Sequence, residues 1–365
     1  MNNVAVSSDM QNVVLQGYSN VMSVAFSPVG TLIAGGCPDK VIRVWNTVLG
    51  VCERTLRGHE EWVTCVAFSS DGARIASGSS DKTVRVWNTV TGECERTFEG
   101  HTASVTSVAF SSNGQRVVSG SDDCTIRIWN AIDGGGERTL LRSKRVSCVA
   151  FSSNGAQVVS GSVDGDVHVW IPYFGRCYTY QEYDQGNRPY YCKVNSVAYS
   201  PDDTRIVSAH DDGIVRVFNA AAGVCIHTLR GHRGWVTSAA FSSDGTRIVS
   251  GGSNDMSAKV WRVGSGECER TLQNHSGIWH VAFLPDKRII ATSYDGSARV
   301  WSVGRERNIE DTLTDYSRLL RFVSDQHRRA IDETRVLRAE IANVNAQYRR
   351  ALLEIDFLRS ELAEE

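Results

Sequence analysis

The sequence predicts an all-β domain, a seven-bladed β-propeller closed by an N-terminal strand, followed by a long C-terminal α-helix that forms a coiled coil. Three observations predict this fold. A segment of about 42 residues repeats seven times between residues 17 and 301. Within each repeat, short runs carry apolar residues at every second position, as strands do. Beyond residue 304 the apolar residues are instead spaced four and three apart. We therefore expect two domains, the propeller at residues 11–303 and the helical tail at residues 306–365.

The repeats are marked by an aromatic residue that closes each copy. It is Phe218 in one copy and tryptophan in the others. In the best-preserved copy, alternating runs predict strands at residues 63–68, 73–77 and 83–87, separated by turn-forming residues. A fourth run, residues 52–56, precedes them. Four strands per unit and seven units predict the propeller. The closing tryptophans are Trp45, Trp87, Trp129, Trp170, Trp261 and Trp301.

The two ends of the repeat array predict how the ring closes. No fourth strand follows Trp301, whereas residues 12–15 align with the fourth-strand segment at residues 53–56. We expect the N-terminal strand to complete the last blade, because a closed ring leaves no unpaired sheet edge.

The Gly-His pairs at residues 58–59, 100–101 and 231–232, together with the closing tryptophans, resemble the WD40 repeat family over roughly residues 11–303. The usual Trp-Asp ending is Trp-Asn in several copies, and the close similarity among copies resembles fungal repeat arrays. The resemblance implies a propeller that binds proteins, with a hydrogen-bonded tetrad in its better-preserved blades. The expected tetrads are His59, Ser77, Asp81 and Trp87; His101, Ser119, Asp123 and Trp129; and His232, Ser250, Asp255 and Trp261.

A His-Ser-Asp trio could also indicate a hydrolase. Here the trio occurs three times, with the aspartate in a tight turn, whereas a catalytic group occurs once and lies in a cleft. We therefore interpret these residues as structural and predict no catalytic residue and no enzyme activity.

Composition argues against several other functions. The net charge of −2 over 365 residues leaves no electrostatic signature for nucleic acid or membrane. The ten cysteines include no C-x-x-C pair for zinc or redox chemistry, and four of them occupy one repeat position on separate blades. The sequence predicts no cofactor, no metal, no nucleic-acid partner and no membrane partner. It favours a cytoplasmic location and leaves the nucleus open.

The tail carries a heptad repeat without proline or glycine from Ile309 to Leu362. Strict seven-residue spacing predicts a left-handed coiled coil, and therefore a homo-oligomer or pairing with a different chain. A solvated single helix is the alternative. The oligomer number and strand orientation stay open. The clearest seam positions are Leu337, Ile341, Val344, Tyr348, Ile355, Leu358 and Leu362.

The resemblance also implies a binding face, where the loops before the first strand meet the turns between the second and third strands. Six of the eleven tyrosines lie between Tyr173 and Tyr191, partly in a loop that is longer than its counterparts. Tyrosine and tryptophan are favoured at interaction hot spots. For the two tryptophans involved, packing on adjacent loops is the alternative. The expected partner-binding residues are Trp62, Trp235, Arg145, Lys193, Tyr183, Tyr190 and Tyr191.

These observations predict a non-enzymatic scaffold whose ring binds a protein or peptide and whose tail makes it oligomeric. One alternative is a substrate-receptor subunit of a ubiquitin ligase, although the Trp-Asp-x-Arg motif common in such propellers is absent. An enzyme or a lipid-binding propeller is the other alternative. The sequence contains neither a unique nucleophile–base pair nor a Phe-Arg-Arg-Gly motif that would support this alternative.

Overall fold

A computed structural model describes residues 10–14, 21–47, 49–180, 192–284 and 287–302 of the chain. The chain divides into two units, Met1–Val303 and Gly304–Glu365, and all described residues belong to the first. They form 28 β-strands in seven antiparallel four-stranded sheets. These seven sheets are the blades of a propeller.

The strands are numbered in chain order, and each blade takes four of them. Blade 7 contains β1 (Met10–Val14) together with β26 (Ile278–Phe283), β27 (Ile289–Ser293) and β28 (Ser297–Trp301). Blade 1 contains β2 (Ser23–Phe26), β3 (Leu32–Gly36), β4 (Val41–Asn46) and β5 (Cys52–Arg57); blade 2 contains β6 (Val63–Phe68), β7 (Arg74–Ser79), β8 (Val84–Asn88) and β9 (Cys94–Phe98). Blade 3 contains β10 (Val105–Phe110), β11 (Arg116–Ser121), β12 (Thr125–Asn130) and β13 (Gly136–Leu141); blade 4 contains β14 (Val146–Phe151), β15 (Val158–Ser162), β16 (Val167–Ile171) and β17 (Arg176–Tyr180). Blade 5 contains β18 (Val194–Tyr199), β19 (Arg205–His210), β20 (Ile214–Asn219) and β21 (Cys225–Arg230); blade 6 contains β22 (Val236–Phe241), β23 (Arg247–Gly252), β24 (Ser257–Arg262) and β25 (Cys268–Gln273).

The residue pattern of each strand matches its place in the blade. In β7, five consecutive residues from Ile75 to Ser79 are buried, because neighbouring blades cover both faces of this strand. In the outermost strand β9, Cys94 to Thr97 are exposed and Phe98 alone is buried. Charged side chains on such an outer strand discourage pairing with another chain.

The apolar core lies between neighbouring blades rather than within one sheet. One cluster joins Val84 and Val86 of blade 2 to Val105 of blade 3. At the closure of the ring, Leu284 of blade 7 packs in one cluster with Trp45 of blade 1. Burial of this apolar surface is the main force that holds the blades together.

A second link joins the innermost strands. The second residue of such a strand donates a side-chain hydrogen bond to a backbone carbonyl at the start of the next blade's innermost strand. These bonds run from Thr64 to the Val105 carbonyl, from Thr106 to Val146 (2.6 Å), from Ser147 to Val194 (2.5 Å), from Asn195 to Val236 (3.0 Å), from Thr237 to Ile278 (2.9 Å) and from Trp279 to Met22 (2.7 Å). Between blades 1 and 2, where Met22 has no donor, the Val63 N–H bonds the Cys37 carbonyl at 3.1 Å instead. We call this set of bonds the inner belt.

The predicted N-terminal strand is present, and its register differs from the sequence alignment by two residues. Strand β1 pairs with β28 so that Val13 faces Ala298. In blade 1 the equivalent pair is Leu56 with Ile42, whereas the alignment had placed Leu15 opposite that position. A shift of two residues keeps the same side chains on the same face of the sheet, so the apolar pattern alone does not distinguish the two registers.

The prediction of a long C-terminal α-helix, which was part of the fold class, was wrong. The described residues contain strands and one short 3-10 turn, Pro172–Phe174, and no α-helix. The predicted tail at residues 306–365, including the seam from Leu337 to Leu362, lies outside the described residues. Heptad spacing indicates only which residues would share one face if the segment were helical. Such a helix takes most of its stability from a packing partner, which one chain does not supply. The fold that the structure shows is the all-β propeller.

Candidate docking face

The structure brings the four expected tetrad residues of blade 2 together. His59 lies in the loop before β6, Ser77 on β7, Asp81 in the turn after β7, and Trp87 on β8. His59 Nδ1 is 2.7 Å from Asp81 Oδ2, and His59 Nε2 is 2.7 Å from Ser77 Oγ. Trp87 Nε1 donates to the same Ser77 oxygen at 2.8 Å.

These contacts define the tautomer of a neutral imidazole. The carboxylate of Asp81 only accepts, so His59 Nδ1 carries a hydrogen, and in the neutral ring Nε2 accepts the Ser77 hydroxyl hydrogen. Ser77 Oγ then accepts the indole N–H, and each of these groups has a partner. Because Ser77 is fully buried, no substrate reaches its oxygen. The arrangement is therefore a structural lock, and it offers no accessible nucleophile.

The electrostatics of blade 3 agree with a neutral imidazole beside a carboxylate. Burial lowers the pKa of His101, against the opposing effect of Asp123. Burial acts to raise the pKa of Asp123, but hydrogen bonds from Thr125, the Thr102 N–H and His101 outweigh it and lower that pKa to about 2. The pair at 2.8 Å thus holds a carboxylate and an uncharged ring at neutral pH.

The tetrad of blade 6 has the same geometry. His232 lies 2.8 Å from Asp255 and 2.7 Å from Ser250, and Trp261 donates to Ser250 at 2.8 Å. In blade 3, Trp129 donates to Ser119 at 2.8 Å.

Sequence reasoning missed a fifth member of these locks. Thr83 Oγ1 donates to Asp81 Oδ1 at 2.7 Å, and Thr125 does the same to Asp123 at 2.7 Å. In blade 6, Ser257 donates to Asp255 at 2.9 Å. A hydroxyl two residues after a turn aspartate is a recognised local pattern, so the sequence contained the signal.

Blades that lack the tetrad use other contacts at the same place. In blade 4, the Arg142 guanidinium lies 5.8 Å from the Trp170 ring centre. In blade 5, where Phe218 has no N–H, Ser208 Oγ pairs with His210 Nε2 at 2.8 Å. The locks therefore differ in chemistry while the blades keep one shape.

In blades 2, 3 and 6 the tetrads join two loops at one end of the ring. In six blades a backbone N–H in the turn between the second and third strands donates to the carbonyl just before the innermost strand. The pairs are Ser80 to Trp62 (2.9 Å), Asp122 to Ser104 (3.0 Å), Val163 to Arg145 (3.2 Å), Asp211 to Lys193 (3.1 Å), Ser253 to Trp235 (2.9 Å) and Tyr294 to Gly277 (3.0 Å). We call the surface formed by these loops and turns the docking face.

The structure places four of the seven expected partner-binding residues on this face. Trp62 is 52% exposed and Trp235 is 54% exposed, so neither indole is buried by adjacent loops. Arg145 and Lys193 are exposed on the adjacent blades 4 and 5. Lys193 and Trp235 lie on adjacent blades 5 and 6, whereas Trp62 lies on blade 2. Tyr183, Tyr190 and Tyr191 lie outside the described residues, and their role stays a prediction.

Two exposed apolar residues of this face were missed. Tyr294, 50% exposed, occupies the repeat position of Ser80, and its ring contacts Trp279 edge-on at 4.6 Å between ring centres. Met256, 44% exposed, lies in the turn that follows Ser253. Comparing equivalent turn positions across repeats would have found both residues.

The opposite face carries two clefts. A cleft of about 460 Å³ is lined by residues of blades 5 and 6, which include the charged residues Asp202, Arg205, Asp244 and Arg262. An apolar cleft of about 390 Å³ has Phe26, Phe241 and Phe283 among its lining residues. Neither cleft contains a tetrad residue.

Some chemistries find no support in the described part of the chain. No three His, Cys, Asp or Glu side chains lie close enough together there to hold a metal ion. Among those residues, no helix has the length and apolar character needed to cross a membrane.

Two family profiles match this chain, and several known proteins resemble part of it. A family profile described as the IFT122 first beta-propeller matches residues 20–170, and the profile of the WD domain, G-beta repeat, matches residues 186–219, 223–262 and 266–302. The Drosophila melanogaster small ribosomal subunit protein RACK1 is 32% identical over 32% of this chain and 37% of its own length. The Zea mays guanine nucleotide-binding protein subunit beta is 30% identical over 30% of this chain and 32% of its own length, and Rattus norvegicus striatin-3 is 32% identical over 30% and 14%.

The chain thus matches about a third or less of the length of these relatives, and the likeness to fungal arrays stays a prediction. The matched residues of the two profiles together cover most of the ring. With the seven sheets and the His-Ser-Asp-Trp locks, they show that this chain carries WD40 repeats folded into a seven-bladed β-propeller.

Proposed function

We propose that this protein is a non-enzymatic interaction scaffold whose docking face binds a protein or peptide partner. The observation that carries the proposal is the exposure of Trp62 and Trp235. The fold uses their backbone carbonyls, which any residue supplies, and the equivalent positions in blades 3 and 7 hold Ser104 and Gly277. The two indoles are therefore not needed to build the ring, and tryptophan is enriched where binding energy is concentrated.

The relatives support this proposal through their names. One is a subunit of a guanine nucleotide-binding protein, and another is a protein of the small ribosomal subunit. Both names describe components of larger assemblies. The serine of each tetrad is fully buried, so these blades contain no accessible tetrad nucleophile that would support an enzyme function.

The test replaces the two indoles and leaves the locks intact. The variant Trp62→Ser/Trp235→Ser is compared with a matched control, Val90→Ser/Phe174→Ser, whose side chains are 71% and 78% exposed in turns at the other end of the ring. Each tagged chain is cross-linked in cells, purified, and its co-purifying proteins are quantified by mass spectrometry. We expect proteins enriched by the wild type and the control to be lost from the tryptophan variant. An unchanged protein set at unchanged melting temperature would overturn the proposal.

Self-association through residues 304–365 is a further part of the proposed function. It rests on the heptad spacing from Leu337 to Leu362 in the sequence. Two copies would present two docking faces and raise avidity for a repeated partner. Light scattering coupled to size exclusion compares the full chain with residues 1–304 and with Leu337→Asp/Ile355→Asp. A full-length monomer at micromolar concentration would contradict this part of the proposal and leave the docking face untouched.

A cytoplasmic location is also proposed from composition, with the nucleus as the alternative. Fluorescence microscopy of the tagged full chain decides between them.

A further inference from the structure

We propose that the docking face selects an acidic peptide segment that places a large apolar side chain on blades 6 and 7 and its carboxylates over blades 4 and 5. This inference rests on the proposed function and names the chemistry of the partner. Two neighbouring surfaces carry it: an apolar platform formed by Trp235, Met256 and Tyr294, and a basic sector formed by Lys144, Arg145, Lys193 and Arg233.

The three platform residues belong to loops that are bonded to one another. The Ser253 N–H donates to the Trp235 carbonyl at 2.9 Å, and the Asn274 N–H donates to the Met256 carbonyl at 2.8 Å. Ser253 of blade 6 and Tyr294 of blade 7 both lie against Gly277, so the turns of the two blades adjoin. The platform is thus assembled from two blades, and backbone hydrogen bonds hold its loops.

Gly277 permits this close approach. A Cβ atom at this position would lie 2.5 Å from the Ser253 carbonyl oxygen and 2.7 Å from the Tyr294 ring. In the equivalent position other blades carry side chains as large as Trp62. The missing side chain lets the loop of blade 7 pack against Tyr294, whose side chain stays half exposed.

The basic sector continues from the platform across the adjoining blades. Lys193 and Arg145 occupy the same repeat position as Trp235, one and two blades before it, respectively. The turn of blade 5 packs directly on the loop that leads to Trp235, since a Cβ atom at Gly213 would lie 2.9 Å from the Gly234 carbonyl oxygen. The Asp211 N–H of this turn also donates to the Lys193 carbonyl at 3.1 Å, so the turn connects the loop that carries Lys193 with the loop that carries Arg233.

The cations of this sector keep their donors available. Within the described residues Lys144, Lys193 and Arg233 make no ion pair, and Arg145 lies 4.0 Å from Asp122 with its side chain 61% exposed. The four cationic side chains are exposed. Their outward ammonium and guanidinium groups are the natural partners of carboxylates.

The carboxylates of the same turns are bound within their own blades. Asp211 accepts from Asn195 at 2.7 Å, and Asp212 pairs with the buried Arg216 at 2.7 Å. Asp164 accepts from the Ser162 hydroxyl, and Asp255 belongs to its tetrad. Because these acids make contacts within their own blades, the surface offered to a partner combines exposed cations with an adjoining apolar platform. A peptide with one large apolar residue and Asp or Glu on one side of it complements both.

The experiment starts from a random peptide display library panned on the full chain and, in parallel, on Trp235→Ser/Met256→Ser. We expect peptides specific to the wild type to share a large apolar residue and an excess of Asp and Glu on one side of it. No enrichment over the variant, or enrichment without acidic excess, would overturn the inference.

The charge requirement is then measured by fluorescence anisotropy. The most enriched peptide and its Asn/Gln counterpart are titrated with wild type, with Arg145→Glu/Lys193→Glu, and with Arg54→Glu/Arg138→Glu, a control with the same charge change on the exposed outer strands. We expect the acidic peptide to bind the docking-face variant about tenfold more weakly and the control as tightly as wild type. Equal affinity for all three proteins would overturn the inference.

Three outcomes distinguish the acidic preference, the class of ligand and the docking face itself. Peptides that need Trp235 but ignore both charge and Arg145→Glu/Lys193→Glu would leave the docking face standing and remove its acidic preference. A single-stranded RNA oligonucleotide that competes more tightly than the acidic peptide would overturn the inference in favour of a nucleic-acid ligand. If cellular partners persist on Trp62→Ser/Trp235→Ser, the proposed function itself fails.

Discussion

Removing one hydroxyl, with the substitution Ser77→Ala, tests whether the tetrads are structural locks. Ser77 Oγ accepts from Trp87 Nε1 at 2.8 Å and donates to His59 Nε2 at 2.7 Å. The indole and the imidazole are 1% and 6% exposed, so water does not replace the lost partner at either nitrogen. Each unsatisfied buried group costs about 1–3 kcal/mol, and we expect a total loss of about 3 kcal/mol in the free energy of unfolding.

The assay is urea unfolding followed by tryptophan fluorescence, with Ser112→Ala as the matched control. Ser112 is exposed in a turn, and its substitution should change stability by less than about 0.5 kcal/mol. Trp87→Phe removes the N–H and keeps an aromatic ring, so Ser77→Ala should cost about 1 kcal/mol less in that background. If Ser77→Ala matches the control, or costs the same in both backgrounds, the lock is not energetically coupled and the reasoning is refuted.

Three further predictions concern the ring as a whole. Removing residues 1–16 should lower the melting temperature more than removing residues 305–365, because β1 covers the edge of β28; equal melting temperatures would contradict this. The substitution Thr106→Val should lower the stability of the ring by about 1 kcal/mol, because it removes the hydrogen bond to the Val146 carbonyl at 2.6 Å. The control Thr102→Val, at an exposed position, should change stability little. Equal losses of melting temperature in the two variants would contradict a role for the inner belt. Burial lowers the pKa of His280 from 6.5 to about 4, so the folded ring binds fewer protons than the unfolded chain between these pH values. Its contribution to stability is complete above pH 6.5 and is lost as the pH falls toward 4. The substitution His280→Ser should therefore reduce the fall in melting temperature over that range, although His210, whose pKa is also lowered to about 4, still contributes. An unchanged pH profile would rule out a contribution from His280.

The repeat pattern predicted the strands well because both strand alternation and turn residues are local signals. In blade 2 the predicted runs at 63–68, 73–77 and 83–87 correspond to strands Val63–Phe68, Arg74–Ser79 and Val84–Asn88. The bulge between Val63 and Cys65 was not predictable from the alternation, since it depends on how β6 pairs with β7. The two-residue error in the register of β1 has the same origin: pairing partners far apart in the chain are not encoded in the local pattern.

The candidate face shows the same division. Repeat alignment located Trp62 and Trp235, because equivalent positions in a repeat protein occupy equivalent places in the ring. It did not indicate that Trp235 would join Met256 and Tyr294 in one platform. That arrangement depends on contacts between the loops of two blades and on the missing side chain of Gly277. Such contacts are long-range and have no counterpart in the spacing of residues along one repeat.

The inner belt has a consequence for how such a ring can change in length or order. Each donor, such as Thr106 or Thr237, travels with its own repeat, while the acceptor is a backbone carbonyl that every repeat supplies. A repeat that is duplicated or transplanted therefore carries its own donor, and the repeat that follows it supplies the carbonyl that accepts the hydrogen bond. The exception is Met22, whose blade lacks the donor and relies on the Val63 N–H of its neighbour. Among the described blades, blade 1 is thus joined to its neighbour through backbone groups, whereas the other blades each carry their part of the inner belt in one side chain.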